Sequence, residues 1–201
     1  MFGIIYIVLS LMLGKELAEV LLFTGKNSTL PGIDHKKKSC NLIWILMPAA
    51  FGMGTLVFGW GTYMIAWAAS EAGAAKPLIY GNTAVMLVSA VFIGYLYSKR
   101  YRRTGSVLTE ADRNLVTDCN SFRKECLAFG ILFVFLTWIM FYVFYIRGGV
   151  LYSGFTVYGD YAPHTAMMRS FSKGNNFPTE YPHFGGQDVK YHFMFQFLVG
   201  N

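Results

Sequence analysis

The stretch Cys126–Ile146, CLAFGILFVFLTWIMFYVFYI, decides the fold of this chain. It runs 21 residues without a charge, and about 20 apolar residues of helix cross a bilayer. Backbone polar groups in lipid must be satisfied internally, so the run is expected to be helical. It lacks the period-two alternation of a membrane barrel strand. Three upstream runs read the same way: Met1–Phe23, Leu42–Ala68 and Pro77–Tyr97. Composition agrees, since the 201 residues are 54% hydrophobic and only 14% charged, against about 25% charged in soluble domains. The expected fold is an all-α membrane protein. A module of four transmembrane helices fills residues 1–146, spanning 1–23, 42–68, 77–97 and 126–146. An extracytoplasmic loop segment with a short helix fills 147–190. Residues 191–201 begin a fifth membrane helix.

The net charge of +6 is not a nucleic-acid signature, because the basic residues sit in short loops beside apolar runs. There they set topology and touch lipid headgroups. With four crossings, the loop holding Lys26 and Lys36–Lys38 shares a side with the loop holding Lys99–Arg103, Arg113, Arg123 and Lys124. That side carries eleven Lys and Arg residues and the other carries five. The positive-inside rule puts the first side in the cytoplasm. The N-terminus and residues 147–190 are then expected outside it, and the Asn27-Ser-Thr29 sequon inside. Cys40, Cys119 and Cys126 have no metal or CxxC spacing and read as free thiols. The first run has no basic leader and no clear cleavage site, so it reads as a retained helix.

Within the runs, Lys15 and Glu19 have i,i+4 spacing and are expected to pair near an interface; the sharper alternative is a functional intramembrane charge. Ala50 and Gly54 have small-xxx-small spacing, suited to close helix packing within the chain or to partner membrane helices. Trp60 and Trp67 fit an interfacial belt, and Asn82 and Thr83 fit interhelical hydrogen bonds. Thr109 and Asp112 have capping-box spacing, which predicts a short surface helix in the loop 98–125.

Chemistry-bearing residues concentrate after Arg147. His164, His183 and His192 lie there with Asp160, Glu180 and Asp188. A helix is expected from Pro163 to Lys173, with Pro163 in its first turn, Gly174 as C-cap and Asp160 at or just before its N-terminus. His164 then lies one turn from Asp160, and Arg169 a turn and a half further. Two prolines and two glycines make 175–186 an irregular loop, anchored by Phe177, Tyr181 and Phe184. Asp188 suits the N-cap of the next helix. The plainer readings are that Asp160 is a cap, that His164 and His192 are structural hydrogen-bonders, and that Asn176-Phe-Pro178 is architectural.

Gly-Asp-x-x-x-His, then Arg-Ser-Phe-Ser-x-Gly-x-Asn-Phe-Pro-x-Glu-x-Pro, then Gly-Gly-x-x-x-x-Tyr-His-Phe-x-x-x-Phe-Leu, resembles the first outer loop of a family of large bacterial and archaeal membrane proteins. These are similar to the GT-C superfamily of glycosyltransferases, which use polyprenyl-phosphate-linked sugars. The resemblance covers Gly159 to Val199. It implies the N-terminal part of an integral cell-membrane glycosyltransferase, with membrane lipid and a polyprenyl-phosphate-linked sugar as partners, inactive as this stretch alone. Asp160 matches the acidic residue of the first outer loop and is implied as the general base. His164, Arg169, Tyr191 and His192 are the implied substrate-binding residues. Asp160 is followed by Tyr161 where many members have a second acid, which weakens a divalent-metal role. Two alternatives stand beside this reading. One is an outer-face metal-binding protein using Asp160, His164, His183 and His192; the other is a non-catalytic membrane scaffold.

Overall fold

A computed structural model describes residues 2–23, 41–109, 112, 115–116, 119–154, 158–190 and 192–201. The sequon, Cys40, Tyr191 and part of the expected surface helix lie outside them. The chain is mostly helical: α1 (Phe2–Phe23), α2 (Ile43–Glu71), α3 (Pro77–Thr104), α4 (Cys119–Val143), β1 (Phe144–Arg147), β2 (Val150–Ser153), α5 (Tyr158–Gly174) and α6 (Met194–Gly200). It divides into two compact units, Met1–Asp118 and Cys119–Asn201.

In the first unit α2 runs antiparallel to both α1 and α3. Tyr6 of α1 meets Phe58 of α2 edge to face, at 5.0 Å between ring centroids. Further toward the C-terminus of α1, Gly14 lies against the backbone of Ala50 and Gly54, and Gly54 lies against Ser10. Lipid tails are as apolar as the side chains, so such helices associate through close packing and hydrogen bonds rather than hydrophobic expulsion. Small residues at the crossing allow that approach. The Ala50–Gly54 spacing therefore serves packing within the chain. Around it lies a core of Leu13, Phe58, Val85, Met86 and Ile93. Thr62 donates to the Asn82 side-chain oxygen at 3.4 Å, so Asn82 makes the expected interhelical bond, while Thr83 faces outward.

Three helices, α2, α3 and α4, are long and apolar enough to cross a membrane, which marks an integral membrane protein. Phe51, Leu56, Leu87, Val88 and Val91 are all exposed on the first unit, and α4 has no buried residue among those described. An apolar surface of that extent is what lipid covers. Of the four expected spans, α1 falls outside this set. Lys15, Glu16 and Glu19 interrupt its apolar run within two turns of each other.

The second unit corrects several expectations. The fourth apolar run is not helical to Ile146. The helix stops at Val143, and Phe144–Arg147 pairs with Val150–Ser153 in an antiparallel hairpin, so the fold is not purely α. Gly148 and Gly149, at φ 59° and 77°, form the two-residue turn with both central φ positive that matches strand twist. Gly154 N–H donates to the Val143 carbonyl at 2.7 Å, closing the hairpin onto the helix end. Helix α5 begins at Tyr158 rather than Pro163, so Asp160 lies inside its first turn and Pro163 inside the helix. Gly174 is the last helical residue, and the left-handed residue is Asn175 at φ 47°; asparagine tolerates that region through its short polar side chain. Asp188 caps no helix: its backbone bridges Glu180, and α6 starts at Met194. Helix α6 docks on α5, with Phe197 fully buried against Phe171 at 5.1 Å and Gly200 against the Met168 carbonyl.

Candidate functional site

The segment after the hairpin is built on the bracket that Asn176 makes. Its side-chain nitrogen donates to Ser170 Oγ at 2.9 Å and to the Glu180 carbonyl at 2.8 Å, and its oxygen accepts from Glu180 N–H at 2.9 Å. Glu180 in turn accepts the Gly186 N–H at 2.9 Å. One asparagine thus satisfies the loop backbone as a strand partner would, which is why a stretch rich in proline and glycine holds an ordered path. Phe177 anchors the loop in the cluster of Phe171 and Phe197. Phe184 does not: it is 68% exposed. The motif Asn176-Phe-Pro178 is therefore architectural, and Glu180 is engaged as a cap.

On this platform Asp160 is exposed, in the first turn of α5, where the N–H ends of the helix favour an anion. His164 follows one turn later on the same face and is half-buried. Its Nδ1 lies 2.6 Å from the Gln196 amide. With that amide oxygen accepting from Nδ1–H, the amide nitrogen donates to the carbonyls of His192 (3.3 Å) and Phe193 (3.1 Å). Gln196 is buried, so it ties the His164 ring to the start of α6. His192 contributes its carbonyl to this link, and its side chain is exposed ahead of α6 rather than at the head of a helix. Arg169 is exposed too. It lies about two and a half turns from Asp160, on the opposite face of α5, so the two do not share one site. Gln196 had a sequence signal that the motif reading passed over, as the lone polar side chain in the run Phe193–Val199. Among the described residues no three His, Cys, Asp or Glu side chains gather at metal-binding distance.

A second polar constellation lies at one end of the three-helix unit. Arg100 of α3 forks onto Glu16 of α1, through Nη1 to Oε1 at 3.1 Å and through Nη2 to Oε2, and its Nη1 also donates to the Val107 carbonyl at 3.1 Å. Lys15 pairs with Glu19 at 3.4 Å, as its spacing predicts, and more closely with Asp112 at 2.7 Å. Thr109 and Asp112 form the expected capping box: Thr109 N–H donates to Asp112 Oδ2 at 2.9 Å, and Asp112 N–H to Thr109 Oγ1 at 3.0 Å. The Thr109 hydroxyl also reaches Glu19 at 3.0 Å. Leu115 accepts the Ile43 N–H at 3.2 Å, which satisfies one of the free donors at the start of α2. The loop after α3 is thus strapped back across the bundle end.

Partial burial pushes the Asp112 carboxyl up, but the Lys15 ammonium and the two Thr109 donors outweigh it and hold the group below its ordinary value. A lowered folded pKa stabilises the strap fully above the ordinary carboxylate range. That contribution is lost as pH falls through the folded value.

Compared with known protein families, curated proteins and solved structures, the chain matches none of them.

Proposed function

We propose that this chain is the N-terminal part of an integral membrane glycosyltransferase of the GT-C kind, transferring a sugar from a polyprenyl-phosphate donor at the outer face of a bacterial or archaeal cell membrane. The observation that carries the reading is the exposed Asp160 in the first turn of α5, one turn from an imidazole whose orientation is fixed by Gln196. Support comes also from the motif run itself, whose Asn176 and Glu180 build the platform beneath that helix.

The chemistry asks for little more from this end of the protein. An acceptor hydroxyl attacks the anomeric carbon, its oxygen–carbon bond forms, and the bond to the polyprenyl phosphate oxygen breaks. The acceptor proton passes to Asp160 as general base. Held at Nδ1 by Gln196, the His164 ring is fixed in orientation one turn from Asp160, suited to orienting the acceptor. The departing phosphate needs cationic stabilisation; Arg169, on the far face of α5, is not placed to give it to a group held at Asp160.

In this reading α1 crosses the membrane as a fourth span. It packs beside α2 along its length, and its charges are paired where a lone charge in lipid would be costly: Lys15 with Asp112 and Glu19, Glu16 with Arg100. The outer placement of Asp160 does not depend on that point. Removing the first crossing leaves both basic loops on one side and the stretch after Arg147 on the other.

Asp160→Asn in the full-length protein, assayed in membranes supplied with a polyprenyl-phosphate sugar, is expected to lower transfer by about 100-fold or more. The amount of folded protein should be unchanged, since the side chain is exposed. Near-normal turnover would remove Asp160 from the mechanism.

A further inference from the structure

The hairpin β1–β2 exposes apolar side chains on both faces. Ile146 is 75% exposed, Val150 56% and Leu151 48%, and Tyr145 stacks on Tyr152 at 5.2 Å with both rings open to the surroundings. An isolated two-stranded hairpin is marginal in water. Among the described residues it is held at its base, by the Gly154–Val143 hydrogen bond and by Phe144 against Tyr161 at 5.1 Å. Its distal half needs a covering surface.

The length of α4 says what that surface is. Beyond Glu125 the helix is free of charge from Cys126 to Val143. Those residues rise about 27 Å at 1.5 Å each, short of the roughly 30 Å hydrocarbon core. The helix therefore ends at about the acyl boundary, and the hairpin begins there. An upright hairpin about 13 Å long would carry Val150 and Leu151 through a headgroup layer of roughly 5–8 Å into water. Leaning over onto the membrane keeps them at the acyl boundary. It also sets the Tyr145–Tyr152 pair at the depth where tyrosine is enriched, and leaves Arg147 at the tip to reach phosphate oxygens.

We propose that the β1–β2 hairpin is an interfacial anchor, lying in the headgroup layer of the leaflet where α4 ends and covered by lipid. The proposal rests on α4 crossing the membrane and not on sugar transfer, so the two fail separately. The probe is a nitroxide on Leu151→Cys, or on Ile146→Cys, in full-length protein with Cys40, Cys119 and Cys126 replaced by serine, reconstituted in liposomes. Collision rates with oxygen, which partitions into lipid, and with a water-soluble nickel chelate give its depth. Reference labels on Phe133→Cys, mid-helix, and Ser172→Cys, on exposed α5, mark lipid and water. The expected oxygen-to-nickel ratio at Leu151→Cys is several-fold above that at Ser172→Cys and below that at Phe133→Cys. A ratio equal to that at Ser172→Cys would put the hairpin in water. Low collision rates with both reagents would mean that protein, such as an added strand from another chain, covers it. Either result overturns the proposal.

Discussion

Gly14→Ala is expected to loosen the three-helix unit by about 2–3 kcal/mol, while Gly52→Ala on the same bundle leaves it unchanged or slightly firmer. A methyl group at Gly14 would collide with the Ala50 carbonyl oxygen and with the Gly54 backbone. Backbone atoms cannot step aside as a side chain can, so α1 and α2 must part. The loss then spreads to every contact along the crossing. At Gly52 an added Cβ meets nothing within 4 Å. There the usual gain of replacing a helical glycine, about 0.5–1 kcal/mol, is left over. Thermal midpoints of the detergent-solubilised variants separate the two cases. Equal midpoints would show that the crossing does not depend on close backbone approach at Gly14.

Arg100→Ala carries the other large effect. Glu16 is only 5% exposed, and both its oxygens are held by the Arg100 fork. Removing the guanidinium leaves a carboxylate buried without its partner, a change that typically costs about 3–5 kcal/mol. The same change frees the Val107 carbonyl and slackens the strap that carries Thr109 and Asp112. The double variant Glu16→Leu/Arg100→Leu should recover most of the loss, because no charge is then stranded. A double-mutant cycle on unfolding midpoints reads the coupling directly. A cost under about 1 kcal/mol for Arg100→Ala would be that of an exposed ion pair, and would mean that water reaches Glu16 freely.

Where partners are near in sequence, the residues announced them. Lys15 and Glu19 pair as their spacing requires, and Thr109 and Asp112 close the capping box. The apolar runs mark the three long spans. Long-range partners left no such trace: Asp112 is 97 residues from Lys15 and Arg100 is 84 from Glu16. Gly14 was readable in principle, since Ser10 and Gly14 repeat the small-xxx-small spacing of Ala50 and Gly54 on the facing helix. The hairpin was concealed for a different reason. Phe144-Tyr-Ile146 extends an apolar helix without a break in composition, and only Gly148-Gly149, between Arg147 and Val150, signals the turn. At the candidate site, a helix beside Asp160 and the architectural reading of Asn176-Phe-Pro178 followed from loop chemistry, but the bracket from Asn176 to Ser170 and Glu180 did not. The His164–Gln196 link did not, because periodicity says nothing of which polar side chain a histidine meets across two helices.

In the proposed function the stretch carrying Asp160 faces the outer side of the membrane and the strapped loop the inner side. Impermeant thiol labelling of intact cells tests it, one cysteine at a time: Ser172→Cys on exposed α5, or the native exposed Cys119, with the remaining cysteines replaced by serine. Ser172→Cys is expected to label in intact cells and Cys119 only after permeabilisation. Labelling of Cys119 in intact cells, with Ser172→Cys protected until they are opened, would contradict it.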